Sequence, residues 1–311
     1  MRKTGLAWRH ADEGRGWRFS APHGRWREEK VRNVLGRSVT QFFIAGSLFL
    51  AATAAAADFR VSAGLGVEFA TGDYGIGLTT DSVTVPLTID VYPTKRLEFE
   101  LVVPYLYQSN SSTTFAGGVR FGRNGAGGRF LGNGANGNGA GGSAVIDESR
   151  SESGLGNISL KSGYVVLEEG EVAPQLKPIV YVEFPTADKD KGLGTGEFVT
   201  GLGLAVDKWF GNWRPYFEGI YNFQGSSDLY ALKDFFSYEA GVNWQMTDRF
   251  LSNAALLGAT KPVEGASDLL EARLKLAYRL SAKSHFEGYL AAGLTDGSPD
   301  FGAGVAAFYT F

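Results

Sequence analysis

The sequence predicts an all-β protein: a transmembrane, antiparallel, up-and-down β-barrel of about 12 strands, with short periplasmic turns and long extracellular loops. Three observations predict it. Apolar residues recur with period two from Phe59 onward, the alternating runs are long enough for a tilted bilayer crossing, and the joins between runs alternate between tight and long.

From Phe59 to Phe69 the odd positions are Phe59, Val61, Ala63, Leu65, Val67 and Phe69, and the even ones Arg60, Ser62, Gly64, Gly66 and Glu68. Successive side chains of a strand point to opposite faces, so one face is apolar and the other small or charged. The same split separates the odd positions from Val83 to Val91 from the even ones from Ser82 to Asp90. It separates Leu97, Phe99, Leu101, Val103, Tyr105 and Tyr107 from Glu98 and Glu100. Near the C-terminus, Leu270 to Leu280 oppose Glu271, Arg273, Lys275 and Arg279, and Phe301 to Phe311 oppose Gly302, Gly304 and Thr310. None of these apolar faces carries a charge. A Lys or Arg facing lipid at mid-bilayer costs roughly 2–4 kcal/mol, so the pattern suits lipid outside and water inside.

Alternation also fits a soluble sandwich with its apolar face inward; strand number, loops and ends decide between the two. Strands are expected at 59–70, 80–92, 97–108, 154–167, 175–185, 197–207, 213–223, 235–245, 250–259, 269–280, 285–294 and 301–311. An even count returns both ends of the barrel to one side. The joins at 93–96, 208–212, 246–249 and 281–284 are tight, whereas 109–153, 186–196 and 224–234 are long, and a soluble sandwich has no reason to sort loops this way. Tyr92, Trp209, Phe210, Trp213, Trp244 and Phe250 cluster at the short-turn side, as an interfacial girdle requires. Phe311, closing an alternating strand, resembles the terminal aromatic signal read by the barrel-assembly machinery, which is thereby an expected partner alongside outer-membrane lipid.

The run Phe42 to Ala57 follows Arg32 and Arg37, ends in small residues and stops at Asp58, as a secretory signal peptide does. Residues 1–57 are therefore expected to be an N-terminal extension and signal peptide that is removed, and 58–311 the barrel of a Gram-negative outer membrane, with a Gly-rich extracellular loop at 109–153. Removal takes away 10 of the 30 Lys and Arg and 4 of the 33 Asp and Glu, leaving a formal charge of −9. An acidic product argues against nucleic acid as a partner. The absence of Cys fits an oxidising compartment.

The stretch Gly154 to Phe184 (GLGNISLKSGYVVLEEGEVAPQLKPIVYVEF) continues through Pro185-Thr186, GLGTGEF at Gly192 to Phe198 and DKWFGNWRPY at Asp207 to Tyr216. It resembles the family of outer-membrane transporters associated with the meta-pathway of phenol degradation. In that family a GLGD-type strand, a hairpin, an FPTG-type strand end, a GLG segment and a W/F-G-x-W turn follow one another. Here Asn157 stands where the family often has Asp, and Ala187 where Gly would complete FPTG. The resemblance implies a barrel that passes hydrophobic or aromatic compounds across the outer membrane.

On these strand assignments the lumen receives Arg60, Glu68, Asp90, Glu98, Glu100, Lys161, Lys177, Glu183, Asp207, Glu218, Glu239, Glu271, Arg273, Lys275, Arg279 and Glu287. Mixed charges inside a barrel either line a narrow wet channel and tune its selectivity or pair and fill the lumen as a polar core. The acidic excess favours cations or neutral solutes. In the Gly-rich stretch Gly117 to Gly142 the only charges are Arg120, Arg123 and Arg129. These arginines belong either to a solvated external loop or to a plug that meets lumen carboxylates.

No catalytic residue, metal ligand or cofactor is expected. His285 is the only histidine beyond the leader and sits at the short-turn side, far from where lipid- or peptide-cleaving barrels work. Asp188 and Asp190 alternate with Lys189 and Lys191, which suits a hydrophilic loop better than a cation site. The expected function is passive uptake of small, hydrophobic or aromatic, solutes. The alternative is a closed structural or surface-interaction barrel without transport.

Overall fold

The computed structural model describes residues 59–122, 150–227 and 229–311. The expected extension and signal peptide, and with them most of the Gly-rich stretch including Arg123 and Arg129, lie outside the described residues.

The strands are β1 (Arg60–Gly72), β2 (Thr80–Tyr92), β3 (Leu97–Gln108), β4 (Thr113–Ala116), β5 (Val119–Gly122), β6 (Glu152–Leu155), β7 (Ile158–Tyr164) and β8 (Gln175–Phe184). They continue as β9 (Val199–Asp207), β10 (Trp213–Gln224), β11 (Phe235–Thr247), β12 (Phe250–Ala259), β13 (Leu269–Arg279), β14 (Ser284–Gly293) and β15 (Phe301–Thr310). Each wall strand pairs antiparallel with its neighbours, and β1 pairs with β15 from Ser62↔Thr310 to Thr71↔Phe301, which closes the sheet into a barrel. β6 and β7 are two parts of one wall strand, so the barrel has twelve. β4 and β5 pair only with each other.

The split between β6 and β7 departs from the single strand 154–167 that alternation suggests. Between the pairs Val102↔Ser159 and Tyr105↔Leu155, β3 spends two residues and its partner three. The extra residue makes a β-bulge, which exchanges the two faces of the strand. That is why Leu155 is exposed on the outer wall although Lys161, also odd-numbered, faces inward.

The outer wall is apolar and uncovered. Leu65, Leu290 and Val305 are 58%, 57% and 65% exposed, and Trp213 stacks on its cross-strand partner Trp244 at 5.0 Å near the short turns. Large apolar side chains left open all round a barrel are what a hydrocarbon solvent rewards. Tyr92 is an exception to the expected girdle: it shares the inward face of β2 with Asp90, and Arg60 lies over its ring at 5.4 Å.

Loops 185–198, 229–234 and 260–268 gather at one end and the tight turns at the other. The last two loops bond to each other, through Lys233 N–H to Pro262 O at 2.9 Å and Glu264 N–H to Ala231 O at 3.0 Å. The largest cluster of buried apolar residues also lies at this end.

Val305→Arg, placed mid-strand on the outer face, is expected to destabilise the barrel folded in lipid vesicles by about 2–4 kcal/mol in denaturant unfolding. The lumen-facing neighbour Ala306→Ser should stay within about 0.5 kcal/mol of the parent.

Candidate functional site: the lumen and its inner hairpin

Part of the longest loop folds back into the barrel. β4 and β5 are joined by the two residues Gly117 and Gly118, with φ of +57° and +74°. Positive φ at both central positions defines a type I′ turn, which only residues without a Cβ adopt at little cost. A Cβ on Gly117 would also lie 2.6 Å from the Phe235 ring.

The turn leaves the two N–H groups of Gly117 and Gly118 without partners inside the hairpin, and both donate to one carboxylate. Gly117 N–H reaches Glu183 Oε1 and Gly118 N–H reaches Glu183 Oε2, each at 3.0 Å. Asn157 Nδ2 donates to Oε1 at 2.8 Å and the Tyr181 hydroxyl to Oε2 at 3.0 Å. An ionised carboxylate has about four lone-pair sites, so Glu183 is saturated. All four donors are neutral, and among the described residues no cation stands within ion-pair distance of it.

The bulge delivers Asn157 to this point, and the quoted family motifs meet there. Asn157 Oδ1 accepts from Ala187 N–H at 3.1 Å, while Thr186 Oγ1 donates to Gly156 O at 2.8 Å and accepts from Ile158 N–H at 2.9 Å. Around the hairpin, Ala116, Val119 and Phe121 pack with Val199, Tyr230, Phe235, Ala259 and Val263, and Phe115 packs against Leu106, Ala187 and Leu193.

Arg120 lies inside this packing, 7% exposed. Its guanidinium sits 4.1 Å from the Phe115 ring centroid and donates to Thr113 Oγ1 at 2.9 Å and Gln108 Oε1 at 3.4 Å. The loop thus meets a lumen carboxylate through backbone N–H groups, and Arg120 meets an amide, a hydroxyl and aromatic rings. Desolvation pushes its pKa below the usual arginine range.

Beneath the hairpin a cavity of about 940 Å³ extends to the short-turn end, from Phe115 and Gly118 to Arg60, Tyr92, His285 and Thr310. Of the charges the sequence sends inward, Arg60, Glu68, Asp90, Glu100, Glu183, Arg273, Lys275 and Glu287 border it. Glu218, Glu239 and Glu271 line a second space of about 320 Å³ against the hairpin. Lys161 lines a third space with Glu218, and Arg279 lines a fourth with His285 at the short-turn mouth.

Ion pairs run along the inner wall. Glu98 binds Lys177, Asp207 binds Arg214 at 2.6 Å, Glu271 binds Arg273 at 2.7 Å and Glu287 binds Lys275 at 3.0 Å. Lys161 reaches Glu100 at 3.5 Å and Glu218 at 3.3 Å. Glu239 accepts from the Tyr216 hydroxyl. His285 stacks on Phe308 at 4.8 Å with Nε2 3.4 Å from Glu287.

Sequence reasoning missed the apolar part of the wall. Pro86, Val102, Pro104 and Leu106 face the main cavity alongside the charges. The available signal is the run Leu101 to Tyr107, LVVPYLY, which is apolar on both faces where its neighbours alternate.

An all-antiparallel closed barrel with an apolar outer wall and an ion-paired interior has the fold of outer-membrane β-barrels. Within that class, the chain belongs to the family described as "Putative MetA-pathway of phenol degradation", whose model matches residues 108–311. Among solved structures it is similar to the COG4313 outer membrane channel from Pseudomonas putida F1, at 15% identity and a TM-score of 0.57, covering 81% of this chain and 96% of that one. It also aligns with the KdgM porin, at 8% identity and a TM-score of 0.45, covering 80% of this chain and 99% of that one. A third alignment is with the translocator domain of the autotransporter NalP from Neisseria meningitidis, at 12% identity and a TM-score of 0.42, covering 88% and 95%. No curated protein matches the sequence.

Glu183→Ala strands the two turn N–H groups, and leaving a buried donor unpaired costs about 1–3 kcal/mol. The expected result is release of the hairpin, measured as tryptic cleavage after Arg120 in the folded variant and protection of the same bond in the parent.

Proposed function

We propose that the protein is a channel of the outer membrane, with its long loops outside the cell, through which small hydrophobic or aromatic solutes enter passively. The observation that carries this reading is the continuous cavity of about 940 Å³ between the hairpin and the short-turn end, far larger than one buried side chain could fill. The family description refers to phenol degradation and the similar Pseudomonas putida protein is described as a channel, which supports the same reading. The hairpin stands as a constriction at the outer mouth.

The lumen charges give the channel a sign. Asp90 is directly opposite Glu100 across β2 and β3, and Glu218 directly opposite Glu239 across β10 and β11. Like charges in register repel. Lys161 is the cation that reaches into both pairs, bonding Glu100 and Glu218. The belt retains an acidic excess that attracts cations and repels anions.

A second reading, a closed structural barrel, draws on the apolar packing that seats the hairpin among Val199, Phe235 and Val263. The two readings separate in planar bilayers. The purified barrel is expected to conduct weakly and a variant lacking Thr113–Gly122 strongly and steadily. Silence from both, with folding confirmed by heat-modifiable migration, would retire the conducting pore in favour of the closed barrel.

In a salt gradient the reversal potential of the hairpin-deleted channel should favour cations. Lys161→Ala should move it further in that direction, and an unchanged potential would remove Lys161 from the selectivity of the lumen.

A further inference from the structure

The cavity wall is divided. On β2 and β3 three cross-strand pairs, Thr84↔Leu106, Pro86↔Pro104 and Thr88↔Val102, face the lumen as one patch of methyl, methylene and ring carbon. Phe115 of the hairpin borders the same cavity. Another stretch of the wall, on β13 and β14, carries Arg273, Lys275 and Glu287.

The patch is expensive for the sheet. Proline has no N–H to give a ladder and is avoided in paired strands, yet Pro86 and Pro104 are opposed within a closed wall. Both flanking ladders give way there. The β1–β2 register passes from Leu65↔Leu87 to Glu68↔Thr84 without the pairs between, and the bulge at Gly156–Asn157 lies beside Pro104. A wall that served only to hold water would have no use for this apolar surface.

Asp90 ends the patch. It follows Thr88 on the same face of β2, about 13 Å along the strand from Pro86. It has no ion-pair partner among the described residues, because Lys161 is held by Glu100 and Glu218.

We propose that this patch and Asp90 form a solute-binding site for an organic molecule with an apolar body and a hydrogen-bond-donating or cationic head. The body lies on Pro86, Val102 and Pro104, and the head donates to the Asp90 carboxylate. An anionic head is rejected, since it would meet Asp90 and Glu100 together. The site deepens the channel reading by naming the solute it selects. Its size is ample, because an apolar cavity of about 150 Å³ already accepts a benzene ring.

Equilibrium binding of benzyl alcohol, benzylamine and benzoate to the barrel purified in detergent tests the site. Benzyl alcohol and benzylamine are expected to bind at least about tenfold more tightly than benzoate. Asp90→Asn should weaken benzylamine about tenfold and narrow the gap to benzoate, while leaving benzyl alcohol within about twofold. Val102→Thr, nearly isosteric and therefore mild to the fold, should weaken both favoured ligands on the order of fivefold. Benzoate binding as tightly as benzylamine, or an Asp90→Asn variant indistinguishable from the parent, overturns the proposal. Flux of the same solutes into vesicles separates it from the channel reading. Selective binding without flux keeps the site and removes the channel, whereas flux indifferent to Asp90→Asn keeps the channel and removes the site.

Discussion

A β-strand in hydrocarbon has no water to satisfy its edge, so each N–H and C=O in the wall must find a partner in a neighbouring strand. The β1–β15 ladder meets that requirement by closing the sheet, and closure creates an interior. The same demand recurs on a smaller scale inside. Once a hairpin folds into the lumen, the two turn N–H groups of Gly117 and Gly118 need an acceptor, and Glu183 supplies both oxygens. Without that carboxylate the tip of the hairpin would bury two unpaired donors, and without the hairpin Glu183 would lose half of its own partners.

Burying a carboxylate without a cation costs several kcal/mol unless hydrogen bonds replace its water. Here the replacement comes from three separate parts of the chain: the turn, the bulge residue Asn157 and Tyr181 on the same strand as Glu183. The bulge is what aims Asn157 inward, and Thr186 and Ala187 hold the bulge in place. Strand irregularity, carboxylate and hairpin are thus one mechanical unit at the long-loop end. The lumen is closely packed around the hairpin, whereas nearer the short turns it opens into a continuous cavity walled partly by ion-paired charges and partly by the apolar surface of Pro86, Val102 and Pro104.

Twelve wall strands were legible because alternation is enforced by the solvents on either side, lipid outside and polar interior within. Where that enforcement lapses, sequence reading lapses too. The run Leu101 to Tyr107 is apolar on both faces, so its inward members were indistinguishable from outward ones. Tyr92 is amphipathic and suits either a girdle or a lumen; only its position on the Asp90 face of β2 settles which. The single strand expected over 154–167 hides a parity change, because Gly156 and Asn157 carry no apolar marker to show that the faces have been exchanged there.

The sequence by itself determined the class of fold, the strand count and the sorting of short joins from long ones. All of these follow from local periodicity and from the energetic penalty on charge in lipid. Tertiary structure alone decided which charges pair, because Lys161 and Glu218 lie on β7 and β10, three strands apart, and meet only through the curvature of a closed wall. It alone decided that the hairpin turns inward, since Gly117 and Gly118 permit the turn while Glu183, 65 residues downstream of Gly118, gives it somewhere to bind.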